Sequence, residues 1–181
     1  MAQPLILVLG GTRSGKSRYG LAATERLADG GRAWFLATAR SGDPELDDRI
    51  ARHRRARPEA WPTVEVGDDL AAAIASTAPD EPILIDGLML WLSALVGDEP
   101  GDPDPVLDGP LADALDAIDR RPGPVIVVSD ELGLGMVPMH AGARAFRDLV
   151  GLTHQRIATR ADDAFFMVAG LPVRLKGGPD A

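Results

Sequence analysis

Gly10-Gly11-Thr12-Arg13-Ser14-Gly15-Lys16-Ser17 matches G-x-x-x-x-G-K-[ST], the pattern of a phosphate-binding loop, or P-loop. Each residue type answers a physical demand. Glycines let the backbone turn its N–H groups inward around anionic oxygens, and a helix starting near Lys16 adds the positive end of its dipole. Lys16 can reach the β- and γ-phosphates of a nucleoside triphosphate, and the Ser17 hydroxyl can ligate Mg²⁺. The motif directly follows the apolar run Leu5–Leu9 and opens a helical stretch, which is the context it requires.

Such a loop works with a carboxylate near the metal, usually at the end of a neighbouring strand. Asp86 ends the run Pro82-Ile83-Leu84-Ile85 and is the first candidate for that role; the alternative is that it caps a following helix. Asp130 and Glu131, after Val125–Ser129, form a second candidate pair. A third feature is His53, set among Arg49, Arg52, Arg54, Arg55 and Arg57, five arginines within nine residues. Asp43-Pro44-Glu45 reads as a helix start and Pro58 as its end. At about 100° per residue, Leu46, Ile50, His53 and Arg57 share one stripe of that helix. Arginines hold triphosphate oxygens in bidentate fashion, and their charge disfavours a neighbouring imidazolium. A neutral imidazole is a nucleophile towards phosphorus, yet on spacing alone a lone histidine on a half-apolar face is more often a packing residue. His140 and His154 have no such arginine cluster.

The elements that must position these groups alternate between apolar, β-branched runs and helical stretches. Strands are expected at Leu5–Leu9, Ala33–Ala37, Ile83–Asp86, Val125–Ser129 and Ala164–Val168, and helices near 16–29, 44–57, 68–77, 88–96, 110–120 and 142–160. That order predicts an α/β fold, a mostly parallel sheet flanked by helices, in one domain spanning 1–181. The strands are apolar almost throughout, so both sheet faces should be covered. Gly97–Gly109, with three prolines and several acids, reads as a mobile surface loop, and Lys176–Ala181 as a frayed tail. The net charge of −8 argues against a nucleic-acid partner, whereas a local basic cluster suits a small anionic ligand. The chain has no cysteine, which removes disulfides, thiolate metal sites and a cysteine nucleophile. No apolar run approaches the roughly 20 residues of a membrane span, and Met1-Ala2-Gln3-Pro4 lacks a secretory pattern, so a cytoplasmic protein is expected.

Several segments together are more specific than the P-loop: G-G-T-R-S-G-K-S at 10–17, F-L-A-T-A at 35–39, R-I-A-R-H-R-R-A-R-P at 49–58 followed by Trp61, and E-L-G-L-G-M-V-P at 131–138. R-A-F-R-D-L-V-G at 144–151, H-Q-R-I-A at 154–158 and A-G-L-P at 169–172 continue the series. Over nearly its whole length the chain resembles the bifunctional adenosylcobinamide kinase / adenosylcobinamide-phosphate guanylyltransferase family of cobalamin biosynthesis. The resemblance implies a RecA-like P-loop fold and a tendency to form homotrimers. It implies phosphorylation of adenosylcobinamide with ATP or GTP, then transfer of GMP from GTP to adenosylcobinamide phosphate through a guanylylated histidine. His53 stands at that histidine's place in the motif, with Lys16 as the second catalytic group. Nucleotide contacts implied by the resemblance are Gly10, Gly11, Thr12, Arg13, Ser14, Gly15, Lys16 and Ser17, Ala37, Thr38 and Ala39, Arg54, Arg55, Ala56 and Arg57, Glu65, and Asp86. Mg²⁺ would be held by Ser17 and Asp86, directly or through water. The chain departs from its relatives in having Asp86 where some have Glu, and Asp130 and His154 where Asn is common. The rival expectations are a P-loop kinase or NTPase of other specificity that forms no covalent intermediate, and a protein that senses GTP without chemistry.

Overall fold

Short aliphatic runs build a seven-stranded sheet in a computed structural model that describes residues 4–39, 58, 60–97 and 101–178. The strands are β1 (Leu5–Gly10), β2 (Trp34–Ala37), β3 (Thr63–Glu65), β4 (Ile83–Asp86), β5 (Val125–Asp130), β6 (Asp163–Val168) and β7 (Leu171–Lys176). Their order across the sheet is β3-β2-β4-β5-β1-β6-β7, and every neighbouring pair is parallel except β6–β7. The helices are α1 (Lys16–Ala28), α2 (Leu70–Ala75), α3 (Leu88–Val96), α4 (Asp104–Asp108), α5 (Pro110–Arg120) and α6 (Ala141–Arg160). β5 lies between the P-loop strand β1 and the strand β4 that ends in Asp86, so the expected fold, a mostly parallel sheet flanked by helices, is the one formed.

Side chains alternate across the pleat, and the two faces are covered unequally. Leu5, Leu7, Leu9, Val125 and Val127 pack with Leu70, Leu88, Trp91, Leu111, Leu115, Leu149 and Ile157, which belong to α2, α3, α5 and α6. Val8, Ile126 and Val128 point the other way, into a smaller cluster with Phe35, Trp61 and Met167, where Tyr19, Leu21 and Leu27 of α1 cover them. Each fully buried aliphatic side chain here contributes about 1.5–3 kcal/mol. β5 is buried along its whole length, as expected of a central parallel strand.

The structure departs from the sequence reading at three places. β3 is only Thr63–Glu65, too short and too polar to carry a strand signature, and it exists because it pairs with Phe35–Ala37 of β2. β7, Leu171–Lys176, is an antiparallel edge strand with Pro172 in it, which an edge tolerates. It follows a two-residue turn, Ala169 (φ 52°) and Gly170 (φ 81°), with the positive φ angles of a tight hairpin. The tail is therefore tied down as far as Lys176, whose ammonium donates to the carbonyls of Ala158 and Thr159, and residues 179–181 lie outside the described part. Within the expected mobile loop, Asp104–Asp108 forms α4 and Leu107 is buried at 2 % exposure, because Leu107, with Val106 beside it, finds the core among the acids. The Arg156 guanidinium donates to its carbonyl at 2.8 Å. The expected helix at 44–57, with His53, lies outside the described residues.

Candidate functional site

The P-loop joins β1 to α1 at the C-terminal edge of the sheet. Two of its glycines, Gly10 and Gly15, are required by close packing, whereas a Cβ on Gly11 would meet open space. A Cβ on Gly10 would lie 2.5 Å from Ser14 Oγ and 2.9 Å from the Met167 carbonyl. Gly15 has φ 95°, and a Cβ there would meet Gly170 Cα at 3.1 Å. The turn is closed by Ser14 N–H donating to the Gly11 carbonyl at 3.2 Å, and braced from β6–β7 by Gly170 N–H donating to the Ser14 carbonyl at 2.9 Å. Arg13 holds a left-handed φ of 57°, so the loop is kept in one strained shape by its surroundings. Gly170 lies in the A-G-L-P segment quoted above, but its bracing role could not be read from sequence, since the contact spans the whole chain.

Lys16 opens α1, yet its side chain is only 6 % exposed. Its Nζ lies 2.5 Å from Asp130 Oδ1 and donates to the Gly11 carbonyl at 3.2 Å. Ser17 Oγ donates to Asp86 Oδ1 at 3.1 Å. The parallel register sets the rest of the edge: Ala37 is level with Asp86 on one side and with Glu65 on the other. The Thr38 hydroxyl lies 2.9 Å from the Asp86 carbonyl and 2.7 Å from that of Gly87, and so locks the end of β2 to the end of β4. Gly10–Ser17, Ala37–Ala39, Glu65 and Asp86 are thus gathered along one edge of the sheet. His53, Arg54, Arg55, Ala56 and Arg57 lie outside the described residues. The Ser17 hydroxyl beside the Asp86 carboxylate is a pair of hard oxygen donors of the kind Mg²⁺ takes when phosphate supplies further oxygens. Among the described residues no group of three or more His, Asp or Glu forms a metal cage.

One more constellation sits behind this edge. His154 Nε2 is 2.8 Å from Ser129 Oγ, and its Nδ1 is 3.4 Å from Glu131 Oε2. The second contact is close but poorly aligned, and Nδ1 has no hydrogen bond of good geometry. Burial pushes the imidazole below its ordinary 6.5, against the opposing pull of Glu131 and Asp130. The order Ser–His–Glu resembles a nucleophile with its base and orienter. Ser129 is 0 % exposed, however, and the cluster joins α6 to the end of β5 as a buried packing contact.

A parallel sheet, a P-loop between its first strand and first helix, and a serine–aspartate pair beside the lysine define a P-loop enzyme that uses nucleoside triphosphates. Sequence comparison sharpens the class. The chain belongs to the cobinamide kinase / cobinamide phosphate guanyltransferase family, whose model matches residues 6–175. It is 44 % identical to the bifunctional adenosylcobalamin biosynthesis protein CobP of Pseudomonas aeruginosa, over 96 % of this chain and 98 % of that one. It is 34 % identical to the bifunctional adenosylcobalamin biosynthesis protein CobU of Escherichia coli, over 95 % of this chain and 99 % of the relative. Among solved structures, an ATPase domain is similar at 13 % identity and a TM-score of 0.49, over 91 % of this chain and 69 % of that one.

Proposed function

We propose that this chain phosphorylates adenosylcobinamide with ATP or GTP and then converts the product to adenosylcobinamide-GDP by way of a guanylylated His53. The supporting observation is the gathering of Lys16, Ser17 and Asp86 at one sheet edge in a chain of this family. In the first reaction the acceptor hydroxyl oxygen bonds to the γ-phosphorus, the bond to the β-phosphate oxygen breaks, and the hydroxyl proton is released. In the second, a ring nitrogen of His53 bonds to the α-phosphorus of GTP and pyrophosphate leaves. A phosphate oxygen of adenosylcobinamide phosphate then displaces the imidazole, which is regenerated. Ser17 and Asp86 are the residues that would hold Mg²⁺, which when bound supplies positive charge to the phosphate oxygens. Lys16 and the P-loop amides orient the triphosphate, and the arginines at 54, 55 and 57 would steady the transferred group. We read the working form as a cytoplasmic homotrimer. Among the described residues no helix is long and apolar enough to cross a membrane, and exposed Leu134, Met136, Val137 and Met139 offer apolar surface for association.

The decisive experiment exposes the protein to GTP and Mg²⁺ and measures its intact mass. A GMP adduct that is acid-labile and base-stable, and absent from His53→Ala, is the expected result. Adduct-free wild-type protein, or an undiminished adduct on His53→Ala, would refute the covalent route and leave a kinase without it.

A further inference from the structure

Asp130 has no part in the chemistry above, yet it is the closest charged partner of the P-loop lysine. Its carboxylate is 2.5 Å from Lys16 Nζ, with the two side chains 11 % and 6 % exposed. The contact is built in. Asp130 is level with Gly10 in the β1–β5 register, and the next residue, Glu131, donates its N–H to the Gly10 carbonyl at 3.1 Å. Ser129, on its other side, is anchored to His154 on α6. The backbone that carries Asp130 is therefore fixed beside the P-loop, and a shift of the strand cannot take its carboxylate away when a ligand arrives.

A lysine ammonium has three N–H donors. Two are taken here, by Asp130 Oδ1 and by the Gly11 carbonyl at 3.2 Å. Reaching both a β- and a γ-phosphate oxygen needs two donors, so one present acceptor must yield. Whichever acceptor yields, one ammonium must then serve both the carboxylate and the phosphates, which leaves like charges facing each other in a poorly solvated place, where charge–charge terms are strong. A ligand that carries its own cation cancels that repulsion, and one without cannot.

We propose that Asp130 is a specificity-determining residue of the triphosphate site: it holds Lys16 when the site is empty, and it makes tight binding conditional on a metal-complexed triphosphate. The inference rests on the nucleotide-binding part of the reading above, but not on His53 or on the acceptor.

The test compares wild type with Asp130→Asn, which keeps the shape and removes the charge. The probe is α,β-methylene-GTP, which cannot transfer GMP, and its affinity is measured by calorimetry with Mg²⁺ and with EDTA. GMP, which has no β- or γ-phosphate, is the control. In Asp130→Asn the preference for the metal-complexed probe should shrink about tenfold, mainly because the metal-free form binds more tightly, while GMP affinity stays within about twofold. A preference equal to that of wild type overturns the proposal, and so does a parallel change for GMP, which would indicate general distortion of the site. If Asp130→Asn does not fold, Asp130→Ala carries the same comparison with the same criteria. Wild-type protein that binds the probe under neither condition would count against the nucleotide-site reading itself.

Discussion

Lys16 combines two properties that usually exclude each other, being buried and being charged. Burial is tolerated because Asp130 and the Gly11 carbonyl replace the lost water, and the same burial makes the ammonium a strong electrostatic partner for phosphate. On the proposed reading both reactions use the triphosphate seated on the P-loop, so Lys16→Ala should reduce both phosphorylation and GMP transfer by about 10²-fold or more. Steady-state assays of each reaction check this, and loss of only one would show that the two reactions do not share the P-loop. Asp86→Asn keeps an acceptor for the Ser17 hydroxyl but removes a charge, so its expected effect is a raised Mg²⁺ requirement with little loss of folding stability. A titration of activity against Mg²⁺, set beside a thermal melt, reads both. These groups are legible in the sequence because P-loop chemistry restricts residue types at fixed spacing. The Lys16–Asp130 contact is not, although Asp130 is visible there as a strand-end carboxylate, because it depends on which strand lies beside β1.

At the scale of elements, α1 presents the P-loop serine and lysine and must lie close on the sheet. Gly20 permits this: a Cβ there would sit 2.7 Å from Val128 Cγ2 and 3.3 Å from Leu84 Cδ1. Gly20→Ala gains about 1 kcal/mol of helix propensity. Overpacking of about 1–3 kcal/mol opposes it, so the net result should be destabilisation and weaker triphosphate binding as α1 lifts. A urea midpoint at or above that of wild type would contradict this. On the other face Leu107 is the fully buried anchor of α4, with Val106 packed beside it, and Leu107→Ala should cost about 2–5 kcal/mol in the same denaturation experiment. A surface loop would lose almost nothing. The acidic, proline-rich composition concealed that anchor, since a helix of five residues shows no hydrophobic periodicity.

For the molecule as a whole, His154 couples acid stability to the packing of α6 on β5. Its native pKa lies below the ordinary 6.5 because burial outweighs the attraction of Glu131 and Asp130. The unfolded chain therefore binds the proton more readily. Stability contributed by the neutral imidazole is complete above about pH 6.5 and is lost as pH falls below it, at up to about 1.4 kcal/mol per pH unit. His154→Asn should flatten the dependence of unfolding free energy on pH between about 7 and 5, as measured by urea titrations across that range. A steeper acid loss in the variant would mean that Glu131 wins and that the native imidazole prefers its proton.

Read alone, the amino-acid sequence determined the P-loop, the five apolar strands, most helix limits to within a few residues, and the family. Those signals are local: a motif of eight residues, a run of β-branched side chains, a proline at a helix start. Tertiary structure alone decided that Asp130 meets Lys16, and it supplied the contact behind the expected pairing of Ser17 with Asp86. Ser17 and Asp86 are 69 positions apart, and they meet because β4 and β5 align in parallel register beside β1. It likewise decided that Thr63–Glu65 and Leu171–Lys176 become strands, since an edge strand is formed by the neighbour it pairs with more than by its own composition.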